Sequence, residues 1–482
     1  MITIHGHSLT CSDVHRVAYG EMCSISPQSL QHMEENAQHT PSTVLESKRA
    51  WLLGEESEQS SDLKREFILG HCAGVGSHFP SSYVRAAMIS RINVLASGHT
   101  GSRPIAAEKL LELLNKNQIP TVPSQGSVGA AGDLAPMAHI ARVVCGYADT
   151  PEWFQPLQPT AKECLSLING VSMSAALGAI AIVRAEKVFQ AAVIAAAMTM
   201  EAIYAQDQCI HEQALSLRGH PECMIVGQQL RTLLQGSQRV CSSRRPDAFS
   251  IRCGPSVMGS TLLAINHTKN IIERELNGCS DNPLLIDGNW IEAGHFHGTQ
   301  IALALDHLKI ALTQLATLSE RRTFRITHEK LSKELPSFLV EGTGLNSGFM
   351  LAQYTAAALA SECKGLAMPA SIDTIPTVQH HEDHVSMAPI AARHTLDLLE
   401  CLADIIAIEL LLAAQALDLR VQSDKLPLPK PLQAIYNKIR SHAAFWKDDQ
   451  VLYPDLKALG SLVREGLDLP SPLESHTHKN IW

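Results

Sequence analysis

The densest chemistry-bearing run in this 482-residue chain is His380-His381-Glu382-Asp383-His384. Imidazoles beside carboxylates suit general acid–base work, because one group can take up a proton that another gives away. The same groups are metal ligands, but no HExxH spacing is present and the 12 cysteines form no CxxC pair. No metal site is expected, and the thiols are expected to be free in a reducing cytosol. A second candidate region is Ile119–Ala138, rich in Gly, Ser and Pro and without apolar period. Long irregular segments inside a compact domain often carry function.

Elements of known type must position these residues. Hydrophobic residues make up 45% of the chain but aromatics only 5%, so the core is expected to be aliphatic and Ala-rich. Apolar spacing predicts helices over Leu63–Ser97, Ala106–Asn117, Val171–Gln206, Val257–Glu275, Gly298–Glu320, Gly348–Leu366 and Ile390–Leu419. Several exceed the usual helix length, which points to an extended bundle. The tract Ala175–Ala197 is apolar all round, so it must be buried on every side, which suggests chains packing together. Met1–Ile4 reads as β-like, Gln31–Ser42 as a polar segment and Glu55–Asp62 as an exposed loop. The expected organisation is a mixed N-terminal region (1–165), a central long-helix bundle (166–422) and a peripheral C-terminal cap (423–482). The fold class is mainly α.

Net charge is −9, which suggests neither nucleic acid nor an anionic membrane as partner. The apolar stretches Ala191–Met200 and Ile405–Ala414 fall short of the ~20 residues of a membrane span. Met1–Ser8 lacks the pattern of a signal peptide. A cytoplasmic protein is expected.

The segment Gly126-Ser127-Val128-Gly129-Ala130-Ala131-Gly132-Asp133-Leu134-Ala135-Pro136 resembles the signature of the ammonia-lyases acting on histidine, phenylalanine and tyrosine. The resemblance extends over residues 64–422. It includes Gly70-His71-Cys72-Ala73-Gly74-Val75-Gly76, Asn277, Asp281-Asn282-Pro283, Ser319-Glu320-Arg321-Arg322, Gly344–Phe349 and Glu382–Met387. It implies a homotetramer in which three chains build each active site around a methylidene-imidazolone. In the family, an Ala-Ser-Gly triplet forms that electrophile when the Gly nitrogen attacks the Ala carbonyl and the Ser loses water. Removing a β-proton and ammonia from an amino acid is hard, and a special cofactor does that step.

Here the triplet is Ala130-Ala131-Gly132, and alanine has no hydroxyl to eliminate. The resemblance therefore implies a member without its family cofactor, unless Ala131 is an engineered replacement of Ser. Other departures speak against a single engineered change. The family's basic Tyr has no counterpart in Thr43–Gly54. Gln-Asp-x-Tyr-Ser-x-Arg has become Pro246-Asp247-Ala248-Phe249-Ser250-Ile251-Arg252. GGNFHG reads Ala293-Gly294-His295-Phe296-His297-Gly298, and Gln-Glu-Asp-His reads His381-Glu382-Asp383-His384.

By resemblance, Arg252 grips a substrate carboxylate, Asn169 contacts the substrate amino group, and His71 with Glu382 recognises an imidazole. The plainer readings are a buried ion pair for Arg252, a helix cap for Asn169, pairing of Glu382 with a neighbouring histidine, and core packing for Phe296. Glu382, His381 or His295 would have to replace the base, and Phe249 with Phe296 would cage a trimethylammonium. These assignments imply elimination of an amine from a histidine-like amino acid or betaine, as in ergothionase-like relatives. The alternatives are a catalytically inactive binding or regulatory homologue and a Ser-to-Ala variant of an ordinary enzyme.

Overall fold

Alanine and leucine dominate the long tracts, and both favour helix at little entropic cost. The computed structural model describes residues 1–40, 63–242 and 246–469, and those residues are mostly helical. The longest helices are Ser172–Ala202, Gly254–Asn277, Thr299–Ile326, Met350–Leu366 and Ala388–Asp424. They match the expected tracts to within a few residues. The readings for Glu55–Asp62 and Thr43–Gly54 lie outside the described residues.

Two corrections concern the region before the site. The expected continuous helix over Leu63–Ser97 is instead Leu63–Gly70, a short strand Val75–His78, and Ser81–Ala96. Gly70, Gly74, Gly76 and Pro80 interrupt it, and the strand pairs antiparallel with Pro123–Gln125. The polar segment Gln31–Ser42 overlaps a helix, Pro27–Ala37. Ser26 caps this helix by accepting from the Ser29 N–H, and proline stands in its first turn.

The chain forms two compact units, each assembled from three stretches: 1–183, 267–307 and 369–396 in the first, and 184–266, 308–368 and 397–482 in the second. The unit boundaries fall inside long helices, whereas the expected three-part organisation follows chain order.

In the first unit, helix Ala161–Ile168 begins with a reciprocal cap. Thr160 Oγ1 accepts from Glu163 N, and the Glu163 carboxylate accepts from Thr160 N. Arg103 clasps the same buried carboxylate at 2.7 and 2.8 Å. These contacts fix the N-terminal end of the helix that leads to Asn169. Two-stranded sheets at Ile2–Ile4/Cys23–Ile25 and Leu284–Ile286/Asn289–Ile291 complete this unit.

The second unit carries buried charge. Arg322 meets Glu409 at 2.5 and 2.7 Å, and Ser319 and Thr199 also donate to Glu409. Arg239 joins Glu201 to Asp424. The residues after 423 add helices Lys430–Arg440 and Tyr453–Glu465. They are less peripheral than expected, since Leu432, Ile439 and Trp446 are buried and Gln415 bonds the Trp446 backbone.

The all-round apolar helix is already covered within one chain: Ala191–Ala197 is at most 5% exposed. Its composition therefore carries no information about oligomers. Among the described residues, one helix, Thr299–Ile326, is long and apolar enough to cross a membrane, and 67% of its most apolar window is buried in the fold.

Candidate functional site

Glycine conformation shapes the loop at 126–133. Gly129 and Gly132 sit at φ +71° and +85°, where a side chain is strained. Gly132 lies against Gly170: a Cβ on Gly132 would meet the Gly170 oxygen at 2.2 Å, and one on Gly170 would meet the Ser280 oxygen at 1.7 Å. The close approach allows backbone bonds between the strands of chain, Asp133 N to Gly170 O at 2.7 Å and Gly170 N to Ala131 O at 3.3 Å. On the other side, Met387 N donates to Val128 O, and Ser386 Oγ donates to Gly129 O at 3.1 Å. Ala130 and Ala131 are buried, and Ala130 packs with Val385 and Met387. The loop also borders a cavity of about 310 Å³ whose lining includes Gln125, Ser127, Ile390 and Arg393.

Beneath the loop lies a buried polar layer that the sequence reading did not assign. Asp133 is fully buried and accepts from both the backbone and the hydroxyl of Ser174 at 2.7 Å. Burial pushes its carboxyl up to about 6, against the pull of the Ser174 bonds and the Arg91 charge. Arg91 is itself fully buried, and one of its guanidinium nitrogens donates to Ser166 O. Lys162 and Asp281 form a buried pair at 2.7 Å, joined by Ser166. Asp281 was visible as part of a matching motif, but nothing local announced its partner, 119 residues away.

Asn169 stands beside this layer, one residue before Gly170. It is fully buried, and neither its amide nitrogen nor its amide oxygen has a hydrogen-bond partner. The expected alternative, a side-chain cap, therefore does not hold. Leaving an amide buried and unpaired costs about 1–3 kcal/mol, so it calls for an explanation, of which a bound ligand is one.

The histidine and carboxylate candidates His71 and Glu382 each have local partners of their own. His71 ends helix Leu63–Gly70, and its Nδ1 lies 2.6 Å from the Phe67 carbonyl oxygen. A carbonyl only accepts, so Nδ1 donates to it and Nε2 is not used by this bond. Glu382 accepts from Thr377 Oγ1 at 2.8 Å, and the Thr377 N–H bonds the Glu382 carbonyl. His295 and His381 are exposed, and Phe296 is only half-buried, so simple core packing does not describe it.

A second imidazole pair escaped the sequence reading. His297 Nε2 faces the His384 carbonyl at 3.2 Å and its ring nitrogen at 3.4 Å, while Thr299 Oγ1 meets His297 Nδ1 at 2.7 Å. Nε2 must donate to that carbonyl, so Nδ1 accepts from Thr299. The neighbouring Gly298 is packed so tightly that a Cβ would sit 3.2 Å from Ser386 Oγ. Only contact geometry reveals this pair, because 87 residues separate its members.

Phe249 and Arg252 belong to the second unit, on the short helix Phe249–Arg252. Phe249 is 72% exposed and Arg252 is exposed, so Arg252 is not a buried ion pair. Asp247 before them accepts from Gln206 N and Lys333 Nζ, a structural reason for its presence.

The backbone of the loop suits a cyclising triplet, with two glycines at positive φ flanking a buried pair of alanines. The side chain at 131 does not, because a methyl has no oxygen to lose. Residues 9–441 match the model of the aromatic amino acid lyase family. The chain is 36% identical over 493 residues to a histidine ammonia-lyase of Halalkalibacterium halodurans, covering 96% of each chain. It is 39% identical over 430 residues to the histidine ammonia-lyase of Idiomarina loihiensis, covering 85% of this chain and 83% of that one. Among solved structures, the histidine ammonia-lyase of Trypanosoma cruzi superposes with a TM-score of 0.86 at 34% identity, covering 96% of this chain and 93% of that one.

Proposed function

The chain belongs to the aromatic amino acid lyase family, and from that premise we propose that it is a carbon–nitrogen lyase working without a methylidene-imidazolone. Its substrate is a histidine-like amino acid or betaine held in the family pocket. The observation that carries this reading is Asn169: a buried amide with no protein partner, beside a loop that keeps its backbone and lacks only the hydroxyl at 131. A purely structural relic has no need for an unpaired amide there.

The chemistry follows from the groups present. A quaternary trimethylammonium leaves as neutral trimethylamine, so its departure needs neither a proton nor covalent activation. The base takes the β-proton, the C–H electrons form the double bond, and the C–N electrons leave with the amine. Glu382, His381 or His295 serves as that base. Nε2 of His71, left unused by the Nδ1 bond, accepts from a substrate imidazole N–H, and Glu382 orients the ring. Arg252 pairs bidentately with the substrate carboxylate, and Phe249 with Phe296 covers the cationic end. Arg252 and Phe249 join the others through assembly, and a homotetramer supplies them as in the family. The expected setting is the cytoplasm.

The test is elimination by the unmutated protein on histidine, tyrosine, phenylalanine and histidine-type betaines, followed by acrylate absorbance and by mass spectrometry of the amine. Turnover of a betaine but of no free amino acid supports the proposal. No turnover by a folded tetramer sinks it and leaves a binding or regulatory homologue. Turnover of histidine that appears only after Ala131→Ser would mark the chain as a variant of the ordinary enzyme.

A further inference from the structure

The larger cavity in the first unit, about 560 Å³, shares no lining residue with the loop at 126–133. It is lined by His5, His7, His32 and His99, together with Glu35 and Cys279. Four imidazoles on one cavity wall are unusual even in a chain with 23 histidines.

Their placement is built into the backbone. His5 and His7 flank Gly6, which sits at φ +84° with its Cα against the Ala96 carbonyl: an added Cβ would come within 2.8 Å of that oxygen. The Gly6 N–H is held by Asn93 Oδ1 at 3.0 Å. With Gly6 pinned, the two rings stand 6.2 Å apart. Gly98, at φ +80°, lies under the His32 ring, where a Cβ would sit 2.4 Å from Cδ2. The His32 and His99 rings meet edge to face at 5.9 Å.

Hydrogen bonding leaves these rings able to gain charge. His99 Nδ1 faces the Leu285 carbonyl at 3.0 Å and donates to it, so Nε2 is not committed to that bond. His32 Nε2 is 3.2 Å from the Asn36 side-chain amide, which can turn its oxygen towards a protonated ring. Glu35 is engaged by Gln31 Nε2 at 2.9 Å. Burial pushes the Cys279 thiol up to about 11, so it stays neutral. Among the described residues, no lysine or arginine lines the cavity.

Spacing decides what these groups can hold. Among the described residues, no set of three His, Cys, Asp or Glu side chains converges closely enough for a metal ion. Imidazoles spread in two pairs instead suit a ligand that brings several acceptor oxygens. We propose that this cavity binds a small multivalent oxyanion, of phosphate or polycarboxylate chemistry, when its imidazoles are protonated. Imidazole is the side chain that ordinarily changes charge between about pH 5 and 8. With no permanent cation among the described lining residues, and with Glu35 opposing, affinity rises as the pH falls through that range.

The experiment is calorimetric titration of the full chain with inorganic phosphate and, separately, citrate, near pH 6 and pH 8 at fixed ionic strength. Two double variants, His5→Ala/His7→Ala and His32→Gln/His99→Gln, are compared after circular dichroism confirms that each is folded. Saturable binding of either anion near pH 6, weakened roughly tenfold or more near pH 8 and in a folded double variant, supports the site. The tighter of the two anions identifies the chemistry. Absence of saturable binding near pH 6, equal binding at both pH values, or binding unchanged in both double variants overturns it. Binding of zinc ion but of neither anion overturns it as well.

Discussion

The cradle under the loop and the exposed histidines at 295 and 381 are held to very different degrees. In the cradle, Gly129, Gly132, Asp133, Gly170 and Asp281 are each held by close contacts or buried bonds. His295 and His381 stand where the family carries other residues, and both are exposed. The cradle residues answer to the fold: a change there leaves a clash or an unpaired buried charge. His295 and His381 carry no such constraint, since both are exposed. Ala131 lies between the two regimes, with the backbone of the first and the altered side chain of the second.

Several substitutions would break or sharpen this contrast. Gly170→Ala has the largest expected effect, because its Cβ has no space and its φ is +98°. We expect a loss of about 4 kcal/mol or more, seen in urea unfolding or as failure to accumulate folded protein. Lys162→Met leaves Asp281 buried beside Ser166 without its cation. The expected cost is about 3 kcal/mol, read from the same unfolding curves.

Asp133 gives a pH signature. Its carboxyl is raised to about 6 in the fold against the ~4 of an unfolded chain. Its favourable contribution is therefore full below about pH 4 and is lost as the pH rises through about 6, an effect of about 2–3 kcal/mol. The difference in stability between the unmutated protein and Asp133→Asn should change across that window and level off above it. A difference that stays constant from pH 4 to 7 would contradict the burial argument.

The smallest effects are expected at Ala131 and at the two exposed histidines. Ala131→Ser, His295→Ala and His381→Ala should each stay within about 1 kcal/mol of the unmutated protein. If Ala131→Ser also shows the mass loss of dehydration, the cradle still directs cyclisation. An unchanged mass would mean that the cradle keeps its shape without that capacity.

The long helices were legible because their apolar runs are long and their boundaries carry proline and glycine, as at Gly298 and Gly348. The break inside Leu63–Ser97 was missed because a four-residue strand has too little period to outweigh the helices on either side. The site divided in the same way. The loop and Asn169 announced themselves through motif and position. Arg91, the Lys162–Asp281 pair and the His297–His384 contact did not, since each depends on residues distant in the chain that only folding brings together.

The unpaired amide of Asn169 has a practical consequence that does not depend on turnover. A ligand that supplies it with a donor and an acceptor restores bonds the folded protein lacks, and it does so only in the folded state. Such a ligand raises the unfolding temperature, increasingly so as its concentration exceeds its dissociation constant. Melting-point screens of amino acids and betaines, repeated with Asn169→Leu, would therefore sort ligands by whether they reach this amide, even where every one of them is left chemically intact.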